Sequence, residues 1–301
     1  MTKKIHVFTD CDLDGAGSYL LFSWLFNRIN IPYTSTTVNK LENVLVNWSK
    51  TQSIDDYDNI YVFDLDTDSK EIHSLLDRSN VYIFDHHKSN DNNVEYQNAN
   101  LIIDPEATST CKLLYTKFKS RLEQQLTTDQ KLIVSLVDDY DSYQLKSPLS
   151  KQLNTVFWSY QGDRIQKFVR DFKDGFTGFN KFHTNIINKK QNELNKIIDE
   201  LEIYSGNVKV DGSDIRIAGA MATTQINDVA DHVAIACESD AVFVVNTNSG
   251  KVSFRTNHTD KVTALAVAEN MTDECGGHEA AAGGMLCDKF MNICKELEVQ
   301  V

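Results

Sequence analysis

The sequence predicts an α/β protein: a parallel sheet sandwiched by helices in the first half, followed by a smaller α/β domain. Three observations carry this reading. Short continuous apolar runs alternate with helical segments, the pattern of parallel strands buried on both faces. Three of these runs, IHVFTD (5–10), NIYVFDLD (59–66) and NVYIFDHH (80–87), end in acidic or imidazole side chains. The 301 residues are enough for two domains that each bury a core.

In order along the chain, IHVFTD is β-branched and aromatic, hence a strand, and an Asp-rich loop follows it. The apolar stretch YLLFSWLFNRI (19–29) is long enough for a helix. The runs at 59–66 and 80–87 are the next buried strands. Ligands of such sheets bind at the carboxyl ends of the strands, where all three polar clusters fall, so one site can collect them. A helical region over 109–145 ends in SLVDDYDSY (135–143). From about residue 182 to 204 the chain reads as one polar helix, with Ile187, Leu194, Ile198 and Leu201 at near-heptad spacing. It is either a connector or an ordinary surface helix. The expected division is 1–180, a helical linker over 181–205, and 206–301. In the last part VKV, IRIAG, AVFVVNTN and KVSFRTN are strand-like, and NTNSGK (246–251) signals a hairpin. The helix HTDKVTALAVAENM and the Gly-rich CGGHEAAAGG (275–284) come after it.

Composition narrows the function. Hydrophobic residues are 41% and charged residues 24%, the profile of a globular protein in water. No apolar run approaches the roughly 20 residues of a membrane helix, and MTKKIHVFTD is not a signal peptide, so a cytoplasmic location is expected. The six cysteines form no CxxC pair, which points to reduced thiols and away from zinc. A net charge of −13 argues against coating long nucleic acid, yet fits carboxylates gathered to hold divalent metals.

Four clusters carry candidate chemistry. Asp10, Asp12 and Asp14 lie on alternate residues at a strand end and can offer oxygen to hard cations. An EF-hand loop begins similarly, but its twelfth position would be Leu21 rather than Glu, and it would need flanking helices. Asp64-Leu65-Asp66-Thr67-Asp68 is similar to the first motif of haloacid-dehalogenase-type phosphatases, with Asp68 where Thr or Val should stand. A solvated acidic loop is the other reading. Asp85-His86-His87 adds imidazole to carboxylate, a set suited to manganese, iron or zinc. Asp138-Asp139-Tyr140-Asp141 closes a helix.

In this order the clusters resemble the DHH phosphoesterase family, named for that Asp-His-His. Its pattern is a DxD-containing first motif (Asp10/Asp12/Asp14), a lone Asp after the second strand (Asp64), the DHH triplet, and a later Asp (Asp138 or Asp139, with Asp139 preferred). GGHEAAAG (276–283) is similar to the GGHxxAAG motif of the partner domain DHHA1, and Arg255 in VSFRTN resembles that domain's substrate-binding Arg. Many members carry a His before the DxD. Here Asp10 stands two residues ahead of Asp12, as in the RecJ-like exonuclease branch, and His6 is a further candidate.

The resemblance implies two divalent ions, with manganese expected, about 3.5–4 Å apart. It implies Asp64 as bridging ligand, completed by Asp10, Asp12, Asp14, His86 and Asp139. His87 would act near the phosphate as a donor of a hydrogen bond or proton, and Asp85 would orient an imidazole. Arg255, Gly276, Gly277 and His278 would hold the end of a short nucleotide chain, in a cleft between domains. The alternatives are an exposed strand-end arginine and a helix start with small-residue packing. Thr108 and Ser109 read as a helix cap.

The expected function is a Mn²⁺-dependent phosphodiesterase that cuts short oligonucleotides or linear dinucleotides to mononucleotides, with no membrane partner and with pairing into a homodimer through the first domain. Alternatives are hydrolysis of cyclic di-AMP or 3′-phosphoadenosine 5′-phosphate, a single-strand exonuclease, and a catalytically idle nucleotide binder. The long-strand exonuclease is disfavoured because it would be expected to add a nucleic-acid-binding domain.

Overall fold

The computed structural model describes residues 3–87, 96–256, 260–272, 274–277 and 279–286. The chain divides into two compact units, Met1–Ile187 and Asn188–Val301.

The first unit is built as β1 (Ile5–Asp10), α1 (Leu13–Leu25), β2 (Tyr33–Thr36), α2 (Val38–Ser49), β3 (Asn59–Phe63), α3 (Lys70–Leu76), β4 (Val81–Asp85) and β5 (Asn100–Ile103). Helices α4 (Thr110–Lys117), α5 (Lys119–Gln125), α6 (Thr128–Asp141), α7 (Pro148–Ser159) and α8 (Arg164–Phe172) follow. The five strands are parallel, in the order β2-β1-β3-β4-β5. The period of two along each strand sorts the core. Ile5, Val7, Tyr61, Phe63 and Phe84 face a cluster with α1, α4, α6, α7 and α8, while Phe8, Ile60, Val62 and Ile83 face α2 and α3. This sandwiched sheet is the predicted fold class.

Every residue of α1 is buried, which explains the uninterrupted apolar stretch. Asp12 caps the helix by accepting from the Gly15 amide at 2.9 Å. A Cβ on Gly15 would stand 2.3 Å from the Asp10 carbonyl oxygen. Only glycine therefore lets α1 begin against the carboxyl end of β1, so that Asp10, Asp12 and Asp14 stay within one short bend.

His6 sits on the opposite face from the first-motif carboxylates' helix. It is 7% exposed, with Nε2 2.9 Å from Thr34 Oγ1 and ring centroids of Phe8, Trp48 and Tyr57 at 5.0, 5.3 and 5.8 Å. This corrects its candidacy for the first motif: it is a core histidine. Burial pushes its pKa from 6.5 down to about 4. The unfolded chain takes up this proton near pH 6.5 and the folded chain only near pH 4, so stability is lost as pH falls through that window. We expect about 3 kcal/mol of loss. Urea denaturation from pH 7 to pH 4, compared between wild type and His6→Gln, should show it as a steeper acid decline in the wild type.

The helix expected over 182–204 is α9 (Lys181–Asp199), and the boundary between the units falls inside it. The second unit then contains β6 (Ile203–Val210), β7 (Ser213–Ala222), α10 (Ile226–Ala236), β8 (Ala241–Asn246), β9 (Lys251–Thr256), α11 (Ala264–Met271), β10 (Glu274–Gly277) and β11 (Ala281–Met285). Its six-stranded sheet runs β10-β11-β9-β8-β7-β6 and is mixed, with β7 and β8 parallel. One face packs on α11, the other on α10. The NTNSGK turn forms as read: Asn246 Oδ1 accepts from the amides of Asn248 and Ser249, and Gly250 takes φ 74°. No helix among the described residues is long and apolar enough to cross a membrane.

Candidate metal centre

Parallel strands leave their carboxyl ends side by side, and the side chains there meet the start of α4 and the end of α6. Asp10 ends β1, Asp64 follows β3, and Asp85 ends β4 directly before His86 and His87. Asp64 is 3% exposed and left-handed, with φ 59°, a strained backbone that turns its carboxylate in at the strand end. Thr110 Oγ1 donates to Asp64 Oδ1 at 3.1 Å.

Asp14 is held by the first amides of α4: Thr110 N donates to Oδ2 at 2.7 Å and Cys111 N to Oδ1 at 3.0 Å. A helix N-terminus is a ready anion site, here filled by a side chain of the same domain. Ser109 caps α4 by accepting from Lys112 N, in line with the cap reading. Thr108 and Ser109 hydroxyls also both donate to Asp138 Oδ1.

His86 is the centre of the geometry. Its Nδ1 lies 3.3 Å from the Ala107 carbonyl, which can only accept, so Nδ1 carries a proton and Nε2 is turned to the carboxylates. Nε2 faces Asp141 Oδ2 at 3.4 Å and Asp64 Oδ1 at 3.7 Å. Asp141 Oδ2 is buried with no hydrogen-bond partner. Two carboxylates around one imidazole nitrogen call for a positive charge among them, a proton on Nε2 or a metal ion in its place, and this donor set of imidazole and carboxylate suits a divalent transition ion. Two ligand groups, Asp64/His86/His87 and Asp14/His86/Asp141, each have their ligand atoms within 4.8 Å of one another.

The electrostatics point the same way. Burial and the Asp12 charge push Asp10 up to about 7, and burial with the same neighbour takes Asp14 to about 7. Burial, then Asp14 and Asp12, raise Asp64 well above the carboxylate range, and Asp141 is raised by burial and the same two neighbours. Asp12 is raised by burial as well. Carboxylates crowded together out of water cannot all stay ionised without protons or a cation among them. His87 behaves oppositely. Burial lowers its pKa, but the 2.7 Å hydrogen bond from Nδ1 to Asp85 Oδ1 and the surrounding carboxylates raise it to about 9.

The structure thus brings Asp10, Asp12, Asp14, Asp64, Asp85, His86 and His87 to one sheet edge. It does not bring Asp139 there. Asp139 accepts from the amides of Lys146 at 2.9 Å and Ser147 at 3.0 Å and ties down the loop before α7. The α6 carboxylate that faces His86 is Asp141, two residues on. Asp66 accepts from the Asp68 amide at 2.8 Å and is spent on its own loop.

In the second unit, GGHEAAAG is neither a helix start nor a loop on a helix: Gly276 and Gly277 end β10 and pair with Gly283 and Ala282 of β11. Gly277 has φ 142°, and a Cβ there would lie 2.6 Å from the Ala281 carbonyl oxygen. His278 lies outside the described residues. Arg255, opposite Ala281 in the register, is 6% exposed rather than an exposed strand-end arginine. Its Nε donates to Asp231 Oδ1 at 2.8 Å and its Nη1 to Ser253 Oγ at 2.9 Å.

The model of the DHH family, N-terminal domain, matches residues 4–137, and that of the DHHA1 domain matches 215–301. The chain belongs to the DHH family. It is a metal-dependent phosphoesterase of that family. Among solved structures, this DHH protein is similar to exonuclease RecJ bound to manganese (12% identity, TM-score 0.56, covering 98% of this chain and 88% of that one). It is also similar to RecJ in complex with Mn²⁺ from Thermus thermophilus (12%, 0.58, 98% and 51%). A third is a pGpG-specific phosphodiesterase, PggH, from Vibrio cholerae (11%, 0.55, 97% of each chain). At these identities the likeness is one of fold. No curated protein matches the DHH chain.

Proposed function

We propose that the protein is a manganese-dependent phosphodiesterase that cleaves short oligonucleotides or linear dinucleotides to mononucleotides. The observation that carries the reading is His86, whose Nε2 faces Asp64 and Asp141 and which belongs to both ligand groups. Two centres that share residues are what a phosphodiesterase needs to serve both the attacking and the leaving oxygen. The fold shared with an exonuclease and a pGpG-specific phosphodiesterase supports a nucleotide chain as substrate.

Asp10, Asp12, Asp14, Asp64, His86 and Asp141 would hold two divalent ions, which would supply charge neutralisation at the phosphate and activation of the nucleophile. The protein's own groups do the rest. Thr110 and the α4 amides fix Asp64 and Asp14, so the carboxylates need no reorganisation on binding. Asp85 accepts from His87 Nδ1, which leaves His87 Nε2 to face outward from a side chain 43% exposed. From there it donates a hydrogen bond to a phosphoryl oxygen and can pass a proton to the leaving oxygen. Arg255, Gly276, Gly277 and His278 are proposed to receive the end of the nucleotide chain, with Asp231 fixing the Arg255 fork.

The test is hydrolysis of 5′-labelled RNA and DNA, from dinucleotides to long single strands, with linear and cyclic di-AMP alongside, in Mn²⁺ and in Mg²⁺. Cleavage of only the shortest linear substrates, lost in His86→Ala, is the expected result. Preference for long strands or for the cyclic dinucleotide would replace the substrate named here. Nucleotide binding without cleavage would make the protein a binder.

A further inference from the structure

The proposed chemistry leaves one carboxylate beside the metal centre without a task. Asp138 lies on α6 three residues before Asp141, so both side chains leave the same face of the helix. Among the described residues it belongs to neither ligand group. Its Oδ1 instead accepts from two adjacent hydroxyls, that of Thr108 and that of Ser109 at 3.0 Å. Lys112 Nζ stands 3.9 Å from Oδ2, a half-exposed ion pair that contributes little. An acceptor for two consecutive hydroxyls holds a turn of backbone rather than a single side chain.

That turn touches three of the proposed ligands. The Ala107 carbonyl is 3.3 Å from His86 Nδ1. Thr110 Oγ1 donates to Asp64 at 3.1 Å, and the amides of Thr110 and Cys111 donate to Asp14 at 2.7 and 3.0 Å. Thr108 and Ser109 stand in the chain between this carbonyl and these donors, and Ser109 and Thr110 are fully buried. The Ser109 oxygen accepts from Lys112 N at 3.1 Å, so its single proton is free to go to Asp138. Helix α6 therefore addresses both ring nitrogens of His86. Asp141 Oδ2 lies directly at Nε2, 3.4 Å away, and Asp138 acts through the turn that sets a carbonyl at Nδ1.

We propose that Asp138 is a positioning residue of the metal centre: it fixes the turn at 107–111, and through it the ring of His86 and the carboxylates of Asp64 and Asp14. This rests on the metal-dependent phosphodiesterase reading above. An imidazole ligates through one nitrogen while an acceptor holds the other, and such supporting partners set the orientation and basicity of the ring. The role needs an acceptor at Oδ1 and no ligand atom, so an asparagine can perform it where a metal ligand would not survive the change.

The experiment measures Mn²⁺ affinity of the chelator-stripped full chain by calorimetry, and kcat and KM for linear di-AMP at saturating Mn²⁺. Asp138→Ala is expected to weaken Mn²⁺ binding and lower kcat about tenfold, with KM nearly unchanged, as loss of a partner that supports metal ligands does. Asp138→Asn should recover most of both. Thr108→Val removes one donor at nearly constant shape and should weaken Mn²⁺ binding by a smaller factor, and adding it to Asp138→Ala should cost little more. A lowered thermal midpoint with Mn²⁺ affinity unchanged in Asp138→Ala would overturn the proposal and leave Asp138 a support of the helix cap. Equal losses in the Asn and Ala variants would overturn it as well, because they would mark a ligand. Should Asp138→Ala not fold, wild-type Mn²⁺ affinity in Thr108→Val would overturn it alone. If the wild type binds no Mn²⁺, the function proposed above falls first and this inference with it. If it binds Mn²⁺ but cleaves no dinucleotide, only the substrate named above falls, and the affinities decide here.

Discussion

Asp141→Asn is expected to lower turnover of a dinucleotide at least 100-fold, while Asp139→Ala, two residues away, should lower chiefly the stability. The effect of the first follows from position. Asp141 Oδ2 is buried, has no hydrogen-bond partner and stands 3.4 Å from His86 Nε2. An amide keeps the shape but loses the charge that offsets the metal, and even residues that only support metal ligands cost 10–100-fold when replaced, on the order set by known sites. Burial, the largest single effect on Asp139, pushes its pKa up, but the two loop amides it accepts from, with Ser150, together hold it below the usual range. Its loss should cost about 1 kcal/mol, as loss of a side-chain cap does. Steady-state kinetics and thermal melts of both variants check the pair. Equal loss of turnover in the two would return Asp139 to the ligand set.

Divalent metal should stabilise the protein strongly at pH 8 and weakly at pH 6. In the metal-free protein Asp10 and Asp14 titrate near pH 7, against 3.8 when unfolded, so the folded state holds protons there that the unfolded state does not. Metal-free stability therefore falls as pH rises through about 7. Above that pH Asp10 and Asp14 are ionised and cost a cation no protons; below it each ion must compete with theirs. At a free metal concentration 100 times the dissociation constant the gain is about 2.7 kcal/mol, or roughly 5–10 °C in the thermal midpoint of a unit this size. Thermal melts with and without Mn²⁺ from pH 6 to pH 8.5, and calorimetry in buffers of different ionisation enthalpy, would show the gain growing with pH and proton release falling as pH rises. A metal effect independent of pH would mean that these carboxylates are not the ligands.

The first three clusters were legible because each is local: a strand ends, and its next residues must point into the crevice over the sheet. The strand runs are buried on both faces and so read as continuous apolar segments. The fourth cluster was harder because three carboxylates lie within one helical turn, and identity alone does not choose among them. Periodicity could have set Asp139 aside. Val134, Val137 and Asp141 lie at i, i+3 and i+7 along α6, with the two valines buried, so Asp141 continues the inward stripe, as does Asp138 at i+4, and Asp139 points off it. Thr110, which holds Asp64, carried no comparable signal: a threonine one residue after a helix cap is common. The GGHEAAAG segment misled for a different reason. Small residues give neither a period of two nor of 3.6, and the pairing of β10 with β11 is decided by the strands already laid down beside them. His6 was mistaken because its closeness in sequence to Asp10 hides the rise of the strand: it shares the sheet face of Asp10 but lies four residues back, about 13 Å from the carboxyl end, packed among Phe8, Trp48 and Tyr57.

The proposed ligand groups come from segments at 10–14, 64, 86 and 141, joined to residue 110 through the amides that grip Asp14. No contiguous fragment of the chain ending before residue 141 contains them all. Metal affinity is therefore a signature of completed folding: nascent or nicked chains would bind weakly and cut nothing, and a hydrolytic activity against nucleotides would be switched on only once the whole first domain has closed around it.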